Sequence, residues 1–195
     1  MSAPLPGDRS TVDVLAETIR FLPADAGFSG LTAASLHGLW LPRSATAAPT
    51  EFGVPGRNGP ARLRHHTRLV GVRHRRRLLR PDEFTLVDGV PVTTLARTWV
   101  DLAEDLDLFD LVAAGDSALR AGTTFEQIAT VLGRAGHRRG VRRARAALPL
   151  LDARSRSRPE SWLRVECRWY GLPPPLVNRA VTVDGSWIGE PDLHW

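Results

Sequence analysis

Lysine is absent from this sequence, because all 26 basic residues among its 195 are arginine. P-loop phosphate binding and Schiff-base catalysis both need a lysine amine, so neither chemistry is available within this chain. Cysteine is nearly absent too, since Cys167 is the only one. A single thiol forms no intramolecular disulfide, and zinc sites of the CxxC type need more thiols. A reducing compartment is therefore the expected environment.

Long apolar runs are also missing. No stretch approaches the run of about 18 apolar residues that a membrane span needs, and residues 1–4 lack the charged and apolar regions of a signal peptide. Hydrophobic residues make up 43% of the chain and charged residues 24%, which is typical of a globular protein. We expect a cytoplasmic protein with no membrane association.

The charges that are present lie in three blocks. Residues 62–80 contain eight arginines and no acid, and residues 134–158 contain nine arginines and one acid, Asp152. Between them, residues 82–126 contain ten acids and only two arginines. This alternation indicates either basic and acidic faces that pair inside the fold, or basic surfaces that bind a polyanion such as nucleic acid.

Hydrophobic periodicity predicts an α+β fold, with a mixed helical and small-sheet N-terminal domain. Asp88-Gly89 favours a tight hairpin turn between two of the strands. The predicted helices cover residues 11–21, 29–36, 95–103, 108–120, 125–132 and 140–151, and the predicted strands cover residues 51–54, 68–78, 84–87 and 90–92.

A polar stretch from Asp152 to Pro159 without apolar periodicity predicts a linker, so we place a domain boundary between residues 152 and 153. A helix from Pro159 to the break at Gly171 follows, and then a hairpin with arms 176–183 and 186–194. The sequence ends inside the second arm. One helix and one hairpin form no independent core, so we expect this segment to pack on earlier residues or to be protease-sensitive.

Several motifs together carry a family resemblance. The runs PESWLR at residues 159–164, GLPPP at 171–175 and WIGEPDL at 187–193 resemble the start of the very-short-patch-repair-like endonuclease domain of actinobacterial proteins, a member of the PD-(D/E)xK superfamily. Upstream, SGLTAASLHGL at residues 29–39 and GVPVTTLARTWVDLA at 89–103 are similar to the region that precedes this domain and to the antitoxin of type IV abortive-infection systems. The resemblance implies an antitoxin-like α+β domain at residues 1–152 and an incomplete restriction-endonuclease-like α/β domain at residues 153–195.

The resemblance also implies a catalytic site. In this nuclease class a helix acid and a strand aspartate help hold a magnesium ion, and Glu160 and Asp192 match them, with Asp192 as the metal ligand. The family's third-strand acid has no counterpart before the sequence ends, so we expect a truncated domain without nuclease activity. Simpler roles stay open: Glu160 as a first-turn acid that complements the helix dipole, and Asp192 as an edge charge.

The second basic block provides the best candidate for nucleic-acid binding. Arg138, Arg142 and Arg145 fall on one helical stripe, and Arg139 and Arg143 fall on the adjacent one. These five guanidinium groups can contact phosphates without reading base sequence. The alternative is a face that docks on the acidic segment 101–116.

Two helical pairs have i, i+4 spacing, Arg97 with Asp101 and Asp116 with Arg120, and we interpret both as structural ion pairs.

Two functional hypotheses follow. One is an endonuclease-like DNA-interacting protein that needs magnesium only when its domain is complete. The alternative is a non-enzymatic DNA-binding or antitoxin-like regulatory module. DNA is the expected partner in both, and a toxin or a second copy of the chain is a further candidate partner.

Overall fold

The computed structural model describes residues 11–55, 71–75 and 78–195. Seven α-helices and small sheets in these ranges confirm the α+β class. The chain divides into two compact units, one formed by residues 1–37 and 48–94 and the other by residues 38–47 and 95–195. Across the described ranges, no helix has both the length and the apolar character that a bilayer crossing needs.

The elements of the first unit are α1 (Thr11–Thr18), β1 (Gly27–Phe28), α2 (Gly30–Leu36), β2 (Thr50–Gly53), β3 (Val72–His74), β4 (Phe84–Val87) and β5 (Val90–Thr93). Its five strands form one mixed sheet with the order β3-β2-β1-β5-β4. Strands β1 and β5 are parallel, as are β2 and β3, whereas β1–β2 and β4–β5 are antiparallel. A core that includes Leu15, Phe28, Phe52 and Val92 lies between the sheet and its helices.

The central strand β1 was not predicted from the sequence. It contains only Gly27 and Phe28, which is too short for an alternating pattern, yet both residues are buried and pair with β2. The predicted strand 68–78 is observed only as β3, and most of the first basic block, residues 62–70 and 76–77, lies outside the described residues.

The second unit is mainly helical. Its helices are α3 (Leu95–Leu102), α4 (Leu108–Arg120), α5 (Phe125–Gly133), α6 (Val141–Ala147) and α7 (Arg158–Trp169). The side chains of Asp107, Thr124 and Ser157 accept backbone hydrogen bonds at the starts of α4, α5 and α7. Trp99 is fully buried, and its indole Nε1 donates to the Leu111 carbonyl at 2.9 Å.

The C-terminal segment of this unit packs back on the preceding helices, because α7 contacts α4. The predicted hairpin forms, but each arm is broken into two strands. Leu176–Val177 (β6) pairs with Leu193–His194 (β9), and Val181–Val183 (β7) pairs with Ser186–Gly189 (β8). Asn178 interrupts the first arm with a positive φ of 46°, and Pro191, which lacks a backbone N–H, lies in the gap of the second.

Candidate functional site

A row of buried aspartates on α3 and α4 binds arginines from the second basic block. Asp101 pairs with Arg138 at 3.3 Å, and Asp110 pairs with Arg158 at 2.6 Å. Asp116 pairs with Arg164, which follows that block on α7, also at 2.6 Å. Part of the alternating charge pattern is therefore satisfied inside the fold.

Asp116 is held by three hydrogen-bond donors. Its side chain is fully buried and accepts hydrogen bonds from Arg164 Nη2, from Ser161 Oγ at 2.6 Å and from the Asp152 backbone N–H at 2.7 Å. Burial raises the pKa of Asp116, and this effect outweighs the opposing effects of the Arg164 charge and the hydrogen bonds. Asp116 thus links α4 both to α7 and to the chain before it.

One of the two predicted i, i+4 pairs is confirmed and the other is wrong. Arg97 Nε donates to Asp101 Oδ2 at 3.1 Å. Asp116 binds Arg164 instead of Arg120, and Arg120 donates to the Ala153 carbonyl at 3.5 Å. Asp116 is buried and Arg120 is exposed, so the two side chains leave α4 toward different surroundings.

Two of the five arginines predicted to bind nucleic acid make internal contacts. Arg138 binds Asp101, and its Nε also donates to the Ala135 carbonyl at 3.2 Å. Arg143 Nη1 donates to the carbonyls of Ala103 at 2.9 Å and Leu106 at 2.6 Å, close to the end of α3. These bonds stabilise the loop after α3 and engage part of each guanidinium group, although Arg143 as a whole remains exposed.

The other three, Arg139, Arg142 and Arg145, are exposed and have no hydrogen bond or ion pair within the described residues. We call them the free arginine face. Arg142 and Arg145 lie on α6, three residues and therefore about 4.5 Å apart along the helix axis. The segment 136–145 lines an open groove of about 800 Å³. Val141, Ala144 and Ala147 form the buried side of α6, so this face stays directed to solvent.

Asn178 contacts both residues of the predicted nuclease site. The Asn178 side-chain Nδ2 donates to Glu160 Oε2 at 2.8 Å, and its backbone N–H donates to the Asp192 carbonyl at 3.1 Å. The structure therefore brings the start of α7 close to the segment that contains Asp192. Asp192 is not a strand residue, although the sequence predicts one there, because the second arm is interrupted between β8 and β9. The sequence-based prediction did not include Asn178, although Asn is one of the few residues that tolerate a positive φ.

The Glu160 carboxylate is held by neighbouring donors. Its Oε1 accepts from Ser157 Oγ at 2.7 Å, and its Oε2 accepts from the Arg156 backbone N–H at 2.8 Å as well as from Asn178. Burial acts to raise the pKa of Glu160, but these hydrogen bonds and the Arg156 charge outweigh it, so the pKa is lowered. Asp192 is exposed.

The oxygen atoms that Glu160 and Asp192 provide do not fit a magnesium ion. Both oxygens of Glu160 are engaged, and no group of three His, Cys, Asp or Glu side chains suited to a metal occurs in the described ranges. Magnesium needs several well-placed oxygen ligands.

Sequence reasoning also missed a buried carboxylate in the first unit. Glu51 on β2 is fully buried, and its Oε1 accepts from Arg75 Nε at 2.8 Å and from Arg73 Nη2. Its Oε2 accepts from the Leu31 backbone N–H at 3.1 Å, at the start of α2. The spacing Arg73-x-Arg75 was a visible signal, but its acidic partner is more than twenty residues away.

Comparison with protein-family models identifies one domain in this chain. Residues 25–152, from just before β1 to just after α6, match the AbiEi antitoxin C-terminal domain. The chain belongs to this family. The resemblance of the upstream region to an antitoxin is thereby confirmed. Searches of the curated proteins and of the solved structures find no match.

The match to the AbiEi antitoxin C-terminal domain separates the two candidate sites. The free arginine face lies within the matched residues, whereas Glu160 and Asp192 lie after them. The match ends at Asp152, where the sequence predicts a domain boundary, although the second compact unit continues to Trp195.

Proposed function

We propose that this chain is a non-enzymatic, antitoxin-like regulatory module of the cytoplasm that contacts DNA through the free arginine face and acts on a toxin partner. The antitoxin part of this proposal is supported by the family, whose description is that of an antitoxin domain. The DNA part is carried by one observation: Arg139, Arg142 and Arg145 are exposed cations without partners among the described residues, beside arginines that do have them.

The chemistry of this face fits phosphate groups more than base edges. Guanidinium groups bind phosphate oxygens in a bidentate manner, and Asn or Gln side chains that would read adenine are absent from residues 136–145. Duplex DNA binding should therefore be weak and largely independent of sequence. If each free arginine contacts one phosphate, log affinity should fall with log salt at a slope of about −2.7.

Fluorescence anisotropy with a labelled duplex at several salt concentrations tests this proposal. Arg142→Gln and Arg145→Gln should each reduce the salt slope by about 0.9, because each removes one phosphate contact. Arg120→Gln is the matched control, since it removes one exposed positive charge of α4 outside this face. An absence of binding at low salt, a flat salt response, or equal effects of all three substitutions would refute the proposal.

An endonuclease-like origin of residues 153–195 is a second proposal, favoured by the position of Asn178 between Glu160 and the Asp192 backbone. Because Glu160 and Asp192 provide too few oxygen ligands for a magnesium ion, we expect no nicking of plasmid DNA above background when magnesium is added. Metal-dependent nicking that Asp192→Ala abolishes would show instead that this pair forms a working site.

A further inference from the structure

The direction of the free arginine face depends on how helix α6 is fixed to the rest of the second unit. This helix has only seven residues, and isolated helices shorter than about 12 residues are marginal in water. Its buried side consists of Val141 and two alanines, which bury little apolar surface. Apolar packing alone therefore gives α6 little support, and other contacts fix its direction.

Two of these contacts join α6 to the loop after α3. Within α6, Arg143 Nη1 donates to the backbone carbonyls of Ala103 at 2.9 Å and Leu106 at 2.6 Å. Gly140, the residue before α6, has a positive φ of 82° and lies directly against the same loop. A Cβ on Gly140 would lie 2.7 Å from the Glu104 backbone nitrogen and closer still to the Ala103 carbonyl oxygen. The start and the middle of α6 are therefore both fixed to this loop.

The free arginines are chain neighbours of these fixed residues. Arg139 directly precedes Gly140, and Arg142 directly precedes Arg143. A shift of the α6 backbone away from the loop would therefore move the free arginine face with it. Charged groups that already point toward their ligand lose less conformational entropy when they bind.

From these contacts we propose that Gly140 and Arg143 are positioning residues for phosphate binding, because they hold the free arginine face in the direction in which it meets the DNA backbone. This inference rests on the proposed function. Arg143 is exposed as a whole, but its Nη1 is engaged by two carbonyls, so its role differs from that of Arg142.

The salt dependence of duplex binding distinguishes a positioning arginine from one that contacts phosphate. Arg143→Met removes one charge and both hydrogen bonds to the loop but keeps a long apolar side chain. We expect affinity to fall about threefold to tenfold, which is the cost of ordering one long side chain on binding, while the salt slope stays at about −2.7. Arg142→Met is the matched comparison, because it removes the same charge from the neighbouring residue of α6. It should reduce the salt slope by about 0.9.

Gly140→Ala tests the same contact without changing any charge. The added Cβ would push α6 away from the loop after α3, so affinity should again fall about threefold to tenfold. Gly136→Ala is the matched control. Gly136 lines the same groove and has a positive φ of 63°, but a Cβ there would meet open space among the described residues. This control should change affinity by no more than about twofold, as for a substitution outside the contact.

Three results would overturn the proposal: an unchanged affinity of Arg143→Met, a salt slope that Arg143→Met reduces as much as Arg142→Met does, or equal affinities of Gly140→Ala and Gly136→Ala. Failure of the proposed function is a separate outcome, because it would appear as a flat salt response of the unsubstituted protein. Circular dichroism checks that each variant folds. If Gly140→Ala does not fold, the comparison of Arg143→Met with Arg142→Met decides.

Discussion

The buried carboxylate of Asp116 provides the sharpest test of how the second unit is held together. Asp116→Ala removes the acceptor of the Arg164 guanidinium, the Ser161 hydroxyl and the Asp152 N–H at once. Arg164 is left with a side chain only 11% exposed and with the Leu150 carbonyl as its remaining acceptor. Removing one partner of a buried ion pair costs about 3–5 kcal/mol, and we expect a loss of unfolding free energy in that range.

Urea denaturation at neutral pH measures this loss, and a double-mutant cycle identifies its origin. Arg164→Met removes the charge that Asp116→Ala leaves unpartnered, so the double variant should be more stable than the sum of the single losses predicts, by about 2 kcal/mol. Arg120→Ala, on the same helix but exposed, should cost less than about 0.5 kcal/mol. Additive losses, or an Asp116→Ala loss as small as that of Arg120→Ala, would refute the view that this ion pair anchors α7 to α4.

Two further predictions concern the other buried or partly buried carboxylates. Gly30→Ala should destabilise the protein by at least about 2 kcal/mol more than Gly38→Ala, measured by urea denaturation. Both glycines have positive φ, but a Cβ on Gly30 would lie 2.0 Å from Glu51 Oε2, whereas Gly38 has open space around it. Equal losses of unfolding free energy in the two variants would show that the Glu51 side chain can move away from the added Cβ. Because the folded-state pKa of Glu160 is lowered, its stabilisation is present above the ordinary glutamate pKa and is lost as the pH falls through the folded value. Glu160→Gln should therefore flatten the acid side of the stability–pH curve, and an unchanged acid limb would contradict this assignment.

The helices were the most predictable part of the fold. Residues 108–120 are predicted and observed as α4 with the same bounds, because the apolar period is strong and Asp107 supplies the cap. The strand β1 could not be predicted in this way. Its two residues become a strand only because β2 and β5 flank them, and that placement is decided by long-range contacts.

For the candidate site, too, long-range contacts could not be predicted from the sequence. The sequence identifies a run of arginines near α6 but does not indicate which of them turn inward. Arg142 and Arg143 are neighbours in the chain, yet only Arg143 reaches the carbonyls of Ala103 and Leu106, about forty residues earlier. Charge patterning therefore predicts a basic face, but it does not show which of the arginines are engaged inside the fold.

The helix α7 follows the family domain and is held on it by contacts with α4. The buried residues of α7 are Ser161 and Val165, and Trp162, which is 38% exposed, packs edge-to-face on Phe109 of α4 with 6.1 Å between the ring centroids. The contact with α4 depends also on Arg158 and Arg164, which bind Asp110 and Asp116. Both acids lie inside the residues that match the AbiEi antitoxin C-terminal domain, and both arginines lie outside them. A domain that ended at residue 152 would keep the acids and lose their cations. In this chain, the stability of the antitoxin-family region therefore depends on the helix that follows it.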